Sequence, residues 1–288
     1  MNQNDRITAK EYWPWHNAGP VASCNIKEVF SEHFDTDDFS NTDTLVREAI
    51  QNSLDARIRK TNDPVTVTFS FGKTSDNPFL KEVFQSLESH RGHCAKLHEV
   101  DFGTLRWLQI TDSNTTGLKG PLNKQEGSNF WKYLLEFGSG TKPEGGLGRH
   151  GVGRISMILA SEVHTVMVAT IREGESQMVI SGIALLDPVF APGQDGARMK
   201  KAPISTMVGK YDEDTDTCKL HSENQDFVAK FRNTFGINSS DVGLSVFVIN
   251  PHTEITPDKI KAAVIEHFSS AIYTGKLIVN IEDEDNKN

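Results

Sequence analysis

Three oxygen-bearing side chains lie along one strip of a predicted helix near the start of the chain. In "LVREAIQNSLDAR" (45–57) they are Glu48, Asn52 and Asp55, spaced by four and three residues. At about 100° per residue they fall within roughly 60° of one another, beside an apolar face that spans roughly 180°. A carboxylate in such a strip can act as a general base, and an amide oxygen can bind a hard metal ion. A solvated polar flank that does no chemistry explains the same spacing.

A single aspartate ends an apolar segment in "WLQITDSNTTGL" (107–118). Small and polar residues follow Asp112, so its carboxylate can lie in a half-buried pocket and accept hydrogen bonds. The exocyclic amine of adenine donates such a bond, whereas guanine offers an acceptor at the same place and is repelled. An aspartate that only caps a turn is the alternative interpretation.

Five of the ten residues in "GGLGRHGVGR" (145–154) are glycine, and the segment leads directly into the apolar "ISMILAS". Glycine lets a backbone approach a ligand closely, and N–H groups at a helix start attract phosphate oxygens. Arg149 adds positive charge. The segment lacks the GxxxxGK[ST] pattern of a P-loop. Gly146, Gly148 and Gly151 match the GxGxxG fingerprint, but no strand directly precedes them, which disfavours a Rossmann site and leaves a phosphate loop of another type or a plain surface loop.

The elements that must position these residues mix helical and strand-like patterns. Helices are predicted at about 43–59, 77–98, 155–161 and 257–272. Strands are predicted at about 64–71, 105–111, 163–171, 176–186, 244–250 and 276–281. Because many strands follow one another without a helix between them, the pattern favours an α+β class over a doubly wound fold. We predict a two-layer α/β sandwich in which helices cover one face of a mixed, largely antiparallel sheet.

The predicted organisation has one large domain with short flanks. Residues 1–40 read as an N-terminal arm, residues 41–282 as one domain, and residues 283–288 as a linker toward further domains. The aromatic segment "EYWPWHNAGPV" (11–21) is either a dimer element or a segment that packs back on its own domain.

Composition and charge exclude several classes of protein. The net charge of −9 and the lack of a basic run argue against a general nucleic-acid binder. The three cysteines, Cys24, Cys94 and Cys218, are scattered, which indicates neither a disulfide framework nor a zinc site. Neither a signal peptide nor an apolar stretch of about 18 residues is present, so we expect a cytoplasmic protein with no membrane contact.

The order of the three motifs resembles the GHKL ATPases, the class of the gyrase B subunit, heat-shock chaperone ATPases, MutL and histidine kinases. "LVREAIQNSLDA" is similar to MutL, and "SGTKPEGGLGRHGVGR" is similar to the lid and phosphate loop of the chaperones. The final "HTEITPDKIKAAVIEHFSSAIYTGKLIVNIED" is similar to the end of the chaperone N-terminal domain. The resemblance covers about 40–282 and implies the Bergerat ATP-binding fold.

The resemblance also implies a role for each matched residue. Glu48 would be the general base that polarises the attacking water, and Asn52 would bind Mg²⁺ with Asp55 in support. Asp112 would recognise adenine, with Gly117 near the base. The residues that would contact the phosphates or lie in the ATP lid are Ser139, Thr141, Lys142, Gly146, Gly148, Arg149, Gly151, Val152 and Gly153.

Two positions depart from the family pattern. The usual D-x-G-x-G after the adenine strand is here "DSNTTG", with Asn114 at the first glycine and one extra residue before Gly117. The usual Gly-Thr of a late strand, whose hydroxyl supports the aspartate, is here Gly243-Leu244-Ser245, which places Ser245 on the opposite face of the strand. Either that strand is shifted, or water replaces the hydroxyl.

The implied function is Mg²⁺-dependent ATP binding and hydrolysis that drives a conformational or dimerisation switch in a larger protein. Partners would be ATP, a second copy of the chain, and DNA or a protein reached through further domains, in DNA transactions or bacterial anti-phage defence. A binding module with little turnover and a histidine-kinase-like phosphotransferase are the alternatives. Histidine kinases lack a water-activating glutamate and carry a phosphoacceptor helix, so Glu48 favours an ATPase.

Overall fold

Helices and strands alternate irregularly along the described part of the chain. A computed structural model describes residues 13, 41–91, 101, 103–122, 127–135, 153–185, 189–192, 198–201, 204–206, 209–212, 217–220, 224–237 and 241–283. The helices there are α1 (Asn41–Asp55), α2 (Pro78–Arg91), α3 (Asn129–Leu135), α4 (Gly153–Leu159), α5 (Gln225–Phe235) and α6 (Pro257–Tyr273). The strands are β1 (Val65–Lys73), β2 (Arg106–Ser113), β3 (Thr165–Ile171), β4 (Met178–Leu185), β5 (Val189–Pro192), β6 (Arg198–Lys201), β7 (Ile204–Thr206), β8 (Gly209–Asp212), β9 (Thr217–Leu220), β10 (Gly243–Ile249) and β11 (Leu277–Glu282).

One seven-stranded sheet organises these elements, in the order β11-β1-β2-β10-β3-β4-β7. β1 and β11 run parallel, and the other neighbouring strands of this sheet run antiparallel. Two short antiparallel pairs, β5-β6 and β8-β9, lie outside it. The sheet is therefore mixed and largely antiparallel, and the predicted α+β class is confirmed.

The first face of the sheet carries the larger apolar core. Side chains alternate along a strand, so Leu108 and Ile110 of β2 face the same side as Val246 and Val248 of β10. The apolar stripe of α1 packs on this face, and α1 contacts both α4 and α6. The predicted helix at the start of the domain therefore lies directly over the strands that carry the site.

The second face carries a smaller, aromatic core, which extends the helical cover beyond the one face predicted. Trp107 of β2 and Phe247 of β10 point to this side, under α2 and α5. Trp13 is fully buried in the same core and stacks on Phe84, with ring centroids 5.9 Å apart. This tryptophan of the predicted arm therefore packs on its own domain, while the rest of residues 1–40 lie outside the described residues.

Among the described helices, none combines the length and the apolar character needed to cross a membrane.

Candidate functional site

A cavity of about 280 Å³ opens on the first face of the sheet, where α1 crosses the end of β2. Asn52 and Ser53 of α1 form one wall, and Asp112 lies at the end of β2. The loop after β2, helices α3 and α4, and strand β10 complete the lining. The cavity therefore joins two of the three motifs that the sequence analysis singled out.

Asp112 is buried, and its carboxylate is held by three donors. Its side chain is on the same side as Leu108 and Ile110 because the three alternate along β2. The Thr115 hydroxyl donates to Oδ1 over 2.6 Å, and the backbone N–H of Leu244 donates to the same oxygen over 2.7 Å. The Ser53 hydroxyl donates to Oδ2 over 2.9 Å. These bonds fix the carboxylate in one orientation.

The carboxylate of Asp112 keeps one acceptor position for a ligand. An ionised carboxylate offers about four lone-pair sites, two on each oxygen. Thr115 and Leu244 occupy both sites on Oδ1, and Ser53 occupies one on Oδ2. The remaining site is on Oδ2, and both Asp112 and Ser53 line the cavity. The site thus offers one oriented acceptor to a donor group in the cavity.

Burial raises the pKa of the Asp112 carboxyl above its ordinary value, because loss of water disfavours the charged form. The hydrogen bonds from Thr115, the Leu244 N–H and Ser53 oppose that shift without cancelling it. The folded protein therefore binds a proton at this group more readily than the unfolded chain does.

We expect this group to make the wild-type protein less stable as the pH rises. Its contribution to stability is fully present below the ordinary pKa of aspartate and is lost as the pH rises through the raised pKa of the folded state. Urea unfolding of the wild type and of Asp112→Asn across that range measures the effect. The difference in unfolding free energy should shift in favour of the variant as the pH rises, and a difference that is independent of pH would contradict it.

The loop after β2 explains the first departure from the family pattern. Asn114 has a φ of 61°, in the left-handed region that asparagine tolerates better than most residues do. Its side-chain amide donates to the Pro64 carbonyl over 2.8 Å, which holds that conformation. Gly117 has a φ of 63°, and a Cβ there would lie 2.6 Å from the Ile171 carbonyl oxygen. Asn114 therefore adopts a left-handed conformation without glycine, whereas the close approach at position 117 requires glycine.

At the second departure, Ser245 lies away from the aspartate. Ser245 does face away from Asp112, and its hydroxyl lies 3.0 Å from that of Thr111 on the second face of the sheet. The hydroxyls that support the aspartate come instead from Thr115 and Ser53. Protein side chains therefore support the carboxylate, and the register of β10 against β2 keeps Ser245 opposite Thr111.

Gly243 lets β10 approach Asp112 closely. A Cβ on Gly243 would lie 2.2 Å from the Asp112 carbonyl oxygen and 2.9 Å from Oδ1. We therefore expect Gly243→Ala to lower the unfolding free energy by about 3 kcal/mol, because backbone must shift to make room. Gly236→Ala is the matched control: its φ is 64° but no atom lies within 4 Å of the added carbon. This substitution should lower the unfolding free energy by about 1 kcal/mol. If urea unfolding showed the same loss of unfolding free energy for both variants, that would contradict the close approach of β10 to Asp112.

The three polar residues on α1 lie in three different environments. Asn52 lines the cavity. Glu48 lies one turn earlier, half-buried, with Oε1 3.4 Å from the Arg47 guanidinium. Asp55 is exposed and accepts a hydrogen bond from Gln51 over 3.1 Å. Their implied roles stay predictions, and Asn52 is the member that the structure places at the cavity.

Helix α3 adds three cavity residues that the sequence analysis missed. They are Asn129, Lys132 and Tyr133. The Tyr133 hydroxyl donates to the sulfur of Met157 in α4 over 3.1 Å, which ties α3 to the helix that follows the glycine-rich segment. Lys132 is exposed and brings a positive charge to the cavity.

Ser53 and Thr115 are the other residues that were missed. Ser53 had a visible signal, because it is a polar residue on the apolar face of α1, where a buried hydroxyl needs a partner. Thr115 had no such signal in the sequence beyond its position in the loop after Asp112.

Most of the predicted phosphate loop lies outside the described residues. These positions are Ser139, Thr141, Lys142, Gly146, Gly148, Arg149, Gly151 and Val152. Gly153 is described as the first residue of α4. The helix predicted to open from the loop is therefore present.

Comparison with known proteins yields little beyond this geometry. No protein-family profile matches the chain, and no curated protein matches it. The ATPase region of topoisomerase II from Saccharomyces cerevisiae, solved with ICRF-187 (dexrazoxane), is similar in structure with a TM-score of 0.35 and 9% identity. That match covers 85% of this chain, which spans 50% of the matched one. The assignment of a function therefore depends on the site itself.

Proposed function

We propose that the cavity binds ATP together with Mg²⁺ and that the domain hydrolyses it. The observation that carries this proposal is the buried Asp112 carboxylate, oriented by three donors with one acceptor position left at the cavity. An oriented buried acceptor selects ligands strongly, because a ligand without a matching donor leaves it unpaired.

Adenine is the base that suits this acceptor. Its exocyclic amine donates a hydrogen bond. Guanine presents a carbonyl oxygen at the equivalent position, which would place one hydrogen-bond acceptor against another. Apolar residues on both sides of Asp112, among them Ile110, Leu244 and Val246, offer flat contacts for a planar ring. The same set of residues thus supports both stacking and base selection.

The residues near the cavity also fit Mg²⁺. This ion prefers oxygen ligands and keeps several of its waters, so one protein oxygen is enough in a nucleotide site. Asn52 offers an amide oxygen from the cavity wall. Bound there, the ion would neutralise phosphate charge. Asn52 would hold it on the side of the cavity that faces α1.

Hydrolysis requires a group that polarises water, and Glu48 is our proposal for it. It lies one helical turn from Asn52, so the two side chains extend from the same flank of α1. Its contact with Arg47 keeps the carboxylate near the helix surface. Lys132, with Lys142 and Arg149 of the glycine-rich segment, would supply positive charge to the phosphates.

A binding module with little turnover is the second candidate function. The observation that favours it is that Glu48 is not among the residues that line the cavity, while Asn52 is. In that case nucleotide would act as a structural ligand only.

Labelled ATP separates these functions. After incubation with γ-labelled ATP and Mg²⁺, label released as inorganic phosphate supports hydrolysis. Label that stays in ATP, with binding demonstrated, supports the binding module. Label on the protein itself would mean histidine-kinase-like phosphotransfer and would contradict our proposal.

We further propose that nucleotide occupancy operates a conformational or dimerisation switch in a larger protein. The support is the resemblance to GHKL ATPases, in which ATP-dependent closure is the common output. A role in DNA transactions or anti-phage defence rests on that resemblance alone.

A further inference from the structure

Strand β11 forms one end of the seven-stranded sheet within the described residues. Its inner side pairs with β1, and its outer side has no described neighbour. The segment Leu277–Ile281 reads "LIVNI", without charge or proline, and Ile278 is 45% exposed. An edge strand of this kind is a ready template for another strand, and proteins usually protect it with charges, proline or a cover.

Helix α6 packs on the face of β11 opposite to Ile278 and adds apolar surface at the same edge of the sheet. Ile265 and Ile272 are 57% and 40% exposed and lie seven residues apart, on one flank of the helix. His267 faces α1, where its Nε2 lies 3.9 Å from an Asp43 carboxylate oxygen. At about 100° per residue, Ile265 and Ile272 lie roughly 140–160° around the helix from His267. They therefore face away from α1, toward the outer edge of the sheet.

We propose that a second copy of this chain adds to the sheet by antiparallel pairing of β11 with β11. Residues directly opposite each other in a sheet lie on the same face, so a strand that pairs with itself must centre on a residue. Centring on Val279 places Lys276 of each copy opposite Glu282 of the other. Both side chains are exposed, and opposite charges at such positions stabilise a strand pair.

This arrangement brings apolar residues together on both faces of the joined strands. Leu277 faces Ile281 and Ile278 faces Asn280 across the two-fold axis. The two α6 helices then lie side by side above the joined strands, so Ile265 and Ile272 of one copy face those of the other. Two strands pair about 4.8 Å apart, a separation that brings overlying helices within packing distance.

The surface is separate from the nucleotide cavity. β1 lies between β11 and β2, and neither β11 nor α6 contributes a residue to the cavity. The dimer can therefore form whether or not the proposed ATP site is correct, and the two proposals fail independently.

Charge reversal tests the pairing register. In sedimentation velocity of the full chain, we expect a wild-type dimer. Lys276→Glu and Glu282→Lys should each raise the dimer Kd by at least about tenfold, because each places like charges opposite at both ends. The double variant, which restores opposite charges, should regain the dimer. A wild type that stays monomeric up to about 100 μM, or a dimer indifferent to the single reversals, would overturn the proposal.

Two further measurements distinguish a lost dimer interface from a misfolded variant. Ile272→Glu should weaken the dimer, whereas Ser270→Glu, at an exposed position roughly 140–160° around α6 from Ile265 and Ile272, should not. In a background with the native cysteines replaced, Ile278→Cys and Asn280→Cys proteins should form a mixed disulfide when combined and little disulfide when each is alone. Cross-linking of each variant to itself, or none in the mixture, would exclude the Val279-centred register.

Discussion

Asp112→Asn should abolish tight ATP binding while leaving the protein folded. Thr115 and the Leu244 N–H both donate to Oδ1, so the amide oxygen must take that position and the NH₂ group must take the position of Oδ2. One N–H can then donate to Ser53, whose hydroxyl can turn to the Ala49 carbonyl 3.0 Å away. The other N–H points at the adenine amine, so two hydrogen-bond donors face each other and no hydrogen bond forms. We expect ATP affinity to fall at least about 100-fold.

The same variant should shift the base preference toward guanine, whose O6 accepts a hydrogen bond. Titration of both nucleotides against wild type and variant measures this. Ser245→Ala is the matched control, because that hydroxyl bonds to Thr111 on the opposite face of the sheet. An Asp112→Asn protein that is folded and binds ATP as the wild type does would show that the carboxylate does not read the base.

Glu48→Ala should remove hydrolysis and keep binding. Loss of a general base typically costs about 10² to 10⁴ in rate. Because Glu48 is not among the described cavity-lining residues, ATP affinity should change by less than about threefold. Single-turnover phosphate release and an equilibrium titration on the same protein separate the two effects.

Gln51→Ala is the control for Glu48, since Gln51 lies on the same helix but is exposed, does not line the cavity, and donates to Asp55. It should retain most of the wild-type rate. Unchanged phosphate release by Glu48→Ala would eliminate the general-base role and favour the binding module.

The long elements of the fold could be predicted from the sequence because their periodicity is strong. The helix expected at about 43–59 is α1 (Asn41–Asp55), and the strand expected at about 105–111 is β2 (Arg106–Ser113). Helix α3 has only seven residues, too few for a period to stand out. Helix α5 carried a clear signal that was overlooked, with Asn224 and Gly236 as its two caps.

The helices on the second face follow from a property of β3 that is visible in its sequence. The segment "TVMVATI" does not alternate, and every one of its residues is buried. A strand that is buried on both sides requires a cover on both faces. The lack of alternation in β3 was therefore a signal for a second layer that our one-face prediction left out, although the partners in that layer, α2 and α5, are distant in sequence.

The environment of Asp112 could not be read from sequence because its partners come from separate elements. Ser53 is 59 residues before it and the Leu244 N–H is 132 residues after it. The register of β2 against β10 brings Leu244 into place. Such contacts depend on strand order, which no local pattern specifies. The sequence could predict that Asp112 ends a strand near a pocket, but not which groups hold its carboxylate.

Calorimetric titration of the wild-type chain with a non-hydrolysable ATP analogue and Mg²⁺, beside the guanine analogue, tests the central claim most directly. We predict one saturable site for the adenine nucleotide and a guanine affinity lower by at least about 100-fold, since Asp112 offers guanine an acceptor where a donor is needed. Absence of adenine nucleotide binding, or equal binding of both bases, would contradict the account.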